Sequence, residues 1–251
     1  MGLSRKADGD LPLLAEVRIP PETLVNSGPP VKCGVRRRVQ EEQPMIFELR
    51  TYTVKPNSAP EVIKRFGEAM PTRLKYSPLV GMWTVEIGPL NQVVHMWRYE
   101  SLQERANVRA AAIKDPTGDW PPKVTDYLVN MNSDILVPGP TNDPLDGPRQ
   151  WGNLYELRMY TYPSGDVRNV MKMFSESVER RKKIYPLGGF FMSDLGELNR
   201  FYQLWPYKDW AHRDECRKQY IGTDIWPPHS EERPVHQLVR HMVPAPFSPL
   251  H

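Results

Sequence analysis

The chain has 251 residues, with 33 Lys and Arg against 30 Asp and Glu for a formal net charge of +3, and only two cysteines. Interleaved charge of this kind forms no basic stripe to track phosphates, which argues against a nucleic-acid partner, and no apolar run approaches the roughly 18 residues that span a bilayer. Cys33 and Cys216 are too few and too differently placed for a disulfide framework, as suits a reducing compartment.

Residues 1–44 carry Pro12, Pro20, Pro21, Pro29, Pro30 and Pro44 without a sustained period, and read as an extended or disordered arm. Arg36-Arg37-Arg38 is the one hint of a mitochondrial presequence. Six acidic residues nearly balance the basic ones there, so a cytoplasmic location is expected, with the mitochondrial matrix as the alternative. A first repeat is expected over 45–140. Its opening strand is 46–54, followed by a helix capped by Ser58 with Glu61 completing a capping box, reaching about Lys75. Strands follow at 82–87 and 92–99 around the Gly88-Pro-Leu-Asn91 turn, then a helix capped by Ser101 and a last strand within 127–137. A Pro- and Gly-rich linker is expected over 141–152. The second repeat, 153–251, gives strands at 154–162, 189–195, 200–207 and 235–243, with helices at 164–184 and 209–220.

The two halves are copies. Glu48-Leu49-Arg50-Thr51-Tyr52-Thr53 returns as Glu156-Leu157-Arg158-Met159-Tyr160-Thr161, and the same register joins Arg73 to Arg181, Trp97 to Trp205, Tyr99 to Tyr207 and Arg105 to Arg213. Each copy reads β-α-β-β-α-β, a ferredoxin-like unit whose helices cover one sheet face. The fold class is therefore α+β: two tandem repeats whose open antiparallel sheet faces pack together as an α/β barrel.

Alternation along the strands places Phe47, Leu49, Tyr155, Leu157 and Met159 against the helices, and Glu48, Arg50, Tyr52, Glu156, Arg158 and Tyr160 inside the barrel. A pocket there could hold an anion on Arg50 or Arg158, with Trp97 as a stacking surface and a Glu or His moving a proton. Because the Glu-Arg-Tyr set occurs twice, a structural ion pair is the favoured reading. His95 is matched only by Gln203, so a single site per chain would centre on His95, the one candidate for a catalytic role, with Arg50 orienting an acidic group. Arg105 and Arg109 read as a solvated helix face, and Arg180-Arg181-Lys182-Lys183 as a solvated helix end. His212 and Cys216 have helical ligand spacing, but no third ligand is identifiable, so neither a metal nor a cofactor is assigned.

Gly188-Gly-Phe-Phe191, Leu204-Trp-Pro-Tyr-Lys-Asp209, Gln237-Leu-Val-Arg-His-Met242 and Phe247-Ser-Pro-Leu250 together resemble the NIPSNAP family, and Phe47-Glu-Leu-Arg-Thr-Tyr52 with Trp97-Arg-Tyr99 is a more diverged version. The resemblance spans about residues 45–250. It implies a dimeric α/β-barrel fold, related in shape to small antibiotic-biosynthesis-type monooxygenases, and animal members that are mostly mitochondrial; it carries no catalytic set. The expected function is a non-enzymatic binding or adaptor protein with protein partners, able to form a homo-oligomer. The alternative is a small-molecule enzyme or binder using the barrel interior for a hydrophobic, partly anionic ligand.

Overall fold

In a computed structural model, which describes residues 45–224 and 226–251, the elements run β1 (Ile46–Val54), α1 (Ala59–Leu74), β2 (Leu79–Ile87), β3 (Gln92–Tyr99), α2 (Leu102–Ile113), β4 (Leu128–Pro138), β5 (Leu154–Thr161), α3 (Asp166–Lys182), β6 (Gly189–Leu195), β7 (Arg200–Tyr207), α4 (Trp210–Lys218) and β8 (His236–Pro244). The expected arm over 1–44 lies outside the described residues.

All eight strands are antiparallel and close into a ring, β1-β3-β2-β8-β5-β7-β6-β4. Each repeat keeps the ferredoxin-like order within itself. The two sheets join edge to edge at two seams, β2 with β8 and β4 with β6, which leaves no unpaired strand edge in the barrel. Three cores result. One fills the barrel, and the other two lie between each repeat's outer sheet face and its helices.

The face assignment from the sequence is reversed. Phe47 and Leu49 share the barrel cluster with Leu157, Leu204 and Met242 of the other repeat, whereas Tyr52 packs with Val62, Phe66 and Met70 of α1. Both strand faces are covered, so polarity alone does not say which is which. The barrel interior around Phe47 and Leu49 is mainly apolar and offers few partners for a charge, so β1 turns its apolar set inward. The outer face can hold Glu48 and Arg50 because the helices bring further arginines to them.

Local signals also shift. Ser58 precedes α1 but its side chain caps nothing, and Glu61 instead accepts a hydrogen bond from Arg65 at 2.7 Å, so the expected capping box is absent. Ser101 does cap α2, accepting from the backbone N–H of Glu104. Pro71 sits inside α1, which continues to Leu74. Within the linker, Leu145 is buried in the barrel cluster and Arg149 pairs in parallel with Leu250, itself fully buried there.

Candidate functional site

Glu48 of β1 is completely buried beneath α2. Arg50, two residues on and therefore on the same strand face, donates to its Oε1 at 2.6 Å. Arg105 of α2 donates to the same oxygen at 2.6 Å, Ser133 of β4 at 2.8 Å, and Arg109, one helical turn beyond Arg105, stands 3.6 Å away. The two α2 arginines thus reach a buried carboxylate, where the sequence suggested solvated side chains. Burial opposes ionisation of Glu48, but the hydrogen bonds from Arg105 and Ser133 and the charge of Arg50 outweigh it and bring its pKa down to about 2.

Beside this cluster lies a cavity of about 260 Å³ between the outer face of the first repeat and its helices, with Arg50, Tyr52, Arg73, His95, Trp97 and Arg109 among the side chains on its walls. Phe66, Ile113, Trp120 and Met131 supply apolar surface. Arg73 comes from the last turn of α1. It is buried, lies 4.3 Å over the Trp97 ring, and donates only to neutral oxygens, Ser77 Oγ at 2.8 Å and the Tyr99 hydroxyl at 2.9 Å. Among the described residues no carboxylate lies within 4.0 Å of it, and burial lowers its pKa.

His95 is held by its neighbour two residues on. Trp97 Nε1 donates to His95 Nδ1 at 2.6 Å, and since an indole can only donate, the imidazole proton resides on Nε2. That Nε2–H is buried without an acceptor, and the ring packs edge-on against Tyr52 with centroids 4.8 Å apart. Burial, together with the positive charge of Arg50 and only partly opposed by Glu48, pushes the His95 pKa down to about 3. Near neutral pH His95, one wall of the cavity, is therefore uncharged, with its Nε2–H buried and unpaired.

The second repeat has the same framework with different filling. Arg158 and Arg213 bind the buried Glu156, His241 approaches it at 2.9 Å, and Arg158 Nη1 donates to the Tyr160 hydroxyl at 3.2 Å. Trp205 Nε1 donates to Gln203 at 3.1 Å, as Trp97 does to His95. Arg181 stacks on Trp205 at 4.7 Å, so this member of the basic run is buried and not a solvated helix end. It also meets the ring of Tyr220 at 4.8 Å. By the repeat register Tyr220 corresponds to Ala112, Phe201 to Val93 and Phe190 to Met82. The second repeat thus carries bulkier aromatic side chains at these three positions.

Of the residues singled out from the sequence, Arg50, Tyr52, His95 and Trp97 converge on one cavity, with Glu48 behind them. Arg158 and Tyr160 belong to the equivalent cluster around Glu156. Arg73, Tyr99, Arg109 and Trp120 were missed. The repeat register marked Arg73 with Arg181 and Tyr99 with Tyr207, but not the distance that brings them together. His212 and Cys216 approach each other, with Nε2 3.5 Å from Sγ, and no group of three or more metal-ligating side chains forms among the described residues.

Comparison with known proteins agrees with this architecture. Among solved structures, a putative monooxygenase from Fusobacterium nucleatum superimposes with a TM-score of 0.59 over 80% of this chain and 93% of its own, at 12% identity, a likeness of fold alone. Protein NipSnap homolog from Dictyostelium discoideum is 28% identical over 188 residues, spanning 72% of this chain and 78% of that protein. Protein NipSnap homolog 2 from Homo sapiens is 28% identical over 232 residues, 84% of this chain and 77% of its own. The family model described as NIPSNAP matches twice, at residues 47–142 and 155–249, once per repeat, and the chain belongs to the NIPSNAP family.

Proposed function

We propose that the first repeat binds a small organic anion with a flat, apolar body, and that it holds this ligand without transforming it. The observation that carries the reading is Arg73, a buried cation that meets no carboxylate among the described residues and lines a cavity walled by Tyr52, Phe66, Trp97 and Trp120. An anionic group on Arg73 would supply the missing counter-charge. An aromatic or alicyclic body would lie against the ring walls, and the His95 Nε2–H offers one further donor. Binding in preference to acid–base catalysis is supported by the histidine on the cavity wall and the carboxylate behind it. Glu48 stays ionised and His95 stays neutral across the physiological range, so neither is poised to exchange a proton there.

The test is tryptophan fluorescence titration with 1-naphthoate, using neutral 1-naphthalenemethanol as the control. Naphthoate should saturate with one site per chain and bind about tenfold or more tightly than the alcohol, the scale of one charge-assisted hydrogen bond. Arg73→Met should abolish that preference, whereas Arg181→Met in the filled repeat should leave it intact. Equal binding of acid and alcohol, or naphthoate binding that survives Arg73→Met, rules the reading out.

A further inference from the structure

A second charged site lies inside the barrel and is independent of the first. Asp134 of β4 stands opposite Leu49 in register, and Arg240 of β8 opposite Leu157. Leu49 and Leu157 both belong to the barrel core, so Asp134 and Arg240 lie on the inner face with them. They are equivalent positions of the two repeats, related by the same offset as Trp120 and Trp226. In the ring order β4 and β8 lie on opposite sides, so an acid and a base face one another across the barrel.

They do not pair with each other. Arg240, 9% exposed, donates from Nε to Gln92 Oε1 at 2.8 Å and places Nη1 2.8 Å from Met159 Sδ, both neutral acceptors. Among the described residues no carboxylate lies within 4.0 Å of its guanidinium, and no Lys or Arg nitrogen lies within 4.0 Å of the Asp134 carboxylate. Asp134 accepts a backbone N–H from Glu197 at 3.4 Å, and burial raises its pKa. Between the two is a pocket of about 320 Å³, bordered also by Thr51, Asn132 and Gly196, at whose rim Arg200 is already neutralised by Glu197. An eight-stranded barrel has room inside for side chains or for one small ligand. Two opposite charges held apart in such a space, offset only in part by their mutual attraction and by Arg200 near Asp134, are each stabilised further by a partner of the opposite sign.

We propose that this end of the barrel binds a small zwitterion of the α-amino acid class, its carboxylate on Arg240 and its ammonium on Asp134. The test is titration of the full chain with glycine and alanine, followed by calorimetry and by the amide resonances of Gly196 and Glu197, with acetate and methylammonium as single-charge controls. The amino acids should bind saturably, shift those two amides, and exceed both controls by about tenfold or more. Arg240→Met should lose the binding while keeping or raising the melting temperature, because an apolar side chain of similar length replaces a buried ion that has no direct ion pair. Asp134→Asn should reduce amino acid binding to the level of acetate. Acetate binding as tightly as glycine would overturn the zwitterion in favour of an anion alone. Absence of a saturable shift would mean that the two charges compensate each other through water. Should Arg240→Met fail to fold, Asp134→Asn decides: unchanged glycine binding in that variant sinks the proposal.

Discussion

His95 and Gln203 accept the same indole N–H from the tryptophan two residues further along, yet only one of them can titrate. The sign of the consequence follows from the folded pKa of about 3. Below about pH 6.5 the unfolded chain protonates this histidine and the folded chain does not, so stability falls as the pH drops from about 6.5 towards 3. Glu48 adds a second acid-sensitive interval. Its folded pKa of about 2 lies below the ordinary carboxylate value, so its contribution is complete above about pH 4.5 and is lost as the pH falls towards 2. His95→Gln, which copies the second repeat, should fold normally and flatten the stability profile between pH 6.5 and 4.5 in urea titrations. An unchanged slope there would show that His95 is not held neutral. Glu48→Gln should be far more damaging, because it leaves the half-buried Arg50 and Arg105 with their charges unanswered. Breaking such a cluster costs about 3–5 kcal/mol. Calorimetry should register a loss of that order for Glu48→Gln and, by the repeat, for Glu156→Gln.

The elements were legible in the sequence because the repeat allowed each to be read twice. The order of strands and helices, the Ser101 cap and the Gly88-Pro-Leu-Asn91 turn could be placed from the residues. The strand faces could not. In a half-exposed sheet the polar set marks solvent, but here Phe47 and Leu49 enter the barrel while Glu48 and Arg50 go under a helix, and both sets are largely buried. What makes the polar set tolerable is Arg105 and Ser133, 57 and 85 residues away along the chain, a juxtaposition that no local pattern encodes. The cavity was hidden for a similar reason, since its walls come from β1, β3, both helices and the Trp120-Pro121-Pro122 segment, which are far apart along the chain. At this scale the seams make a prediction. A fragment of residues 45–142 retains β2 and β4 but lacks their partners β8 and β6, leaving two open edges and half a barrel core exposed. Analytical ultracentrifugation should find it self-associated or unfolded, and a stable monomer would contradict the closed ring.

Over the whole molecule, duplication supplies the symmetry and divergence removes it. Barrel, seams and buried Glu-Arg clusters are common to both repeats. The opposed Asp134 and Arg240 exist because equivalent positions hold different residues, and the cavity beside Arg73 is walled by His95 where the second repeat has Gln203. The ring order also bears on synthesis. β2 is complete by residue 87, yet one of its two neighbours, β8, spans His236–Pro244 and leaves the ribosome only after every other strand of the barrel. For most of translation the nascent chain must carry β2 as an open edge, with Trp83 and Val85 lacking the partners that later bury them. The first repeat can adopt its local structure early, but the barrel cannot close before the final strand emerges, so growing chains crowded on one messenger are at their most vulnerable to pairing with one another during that interval.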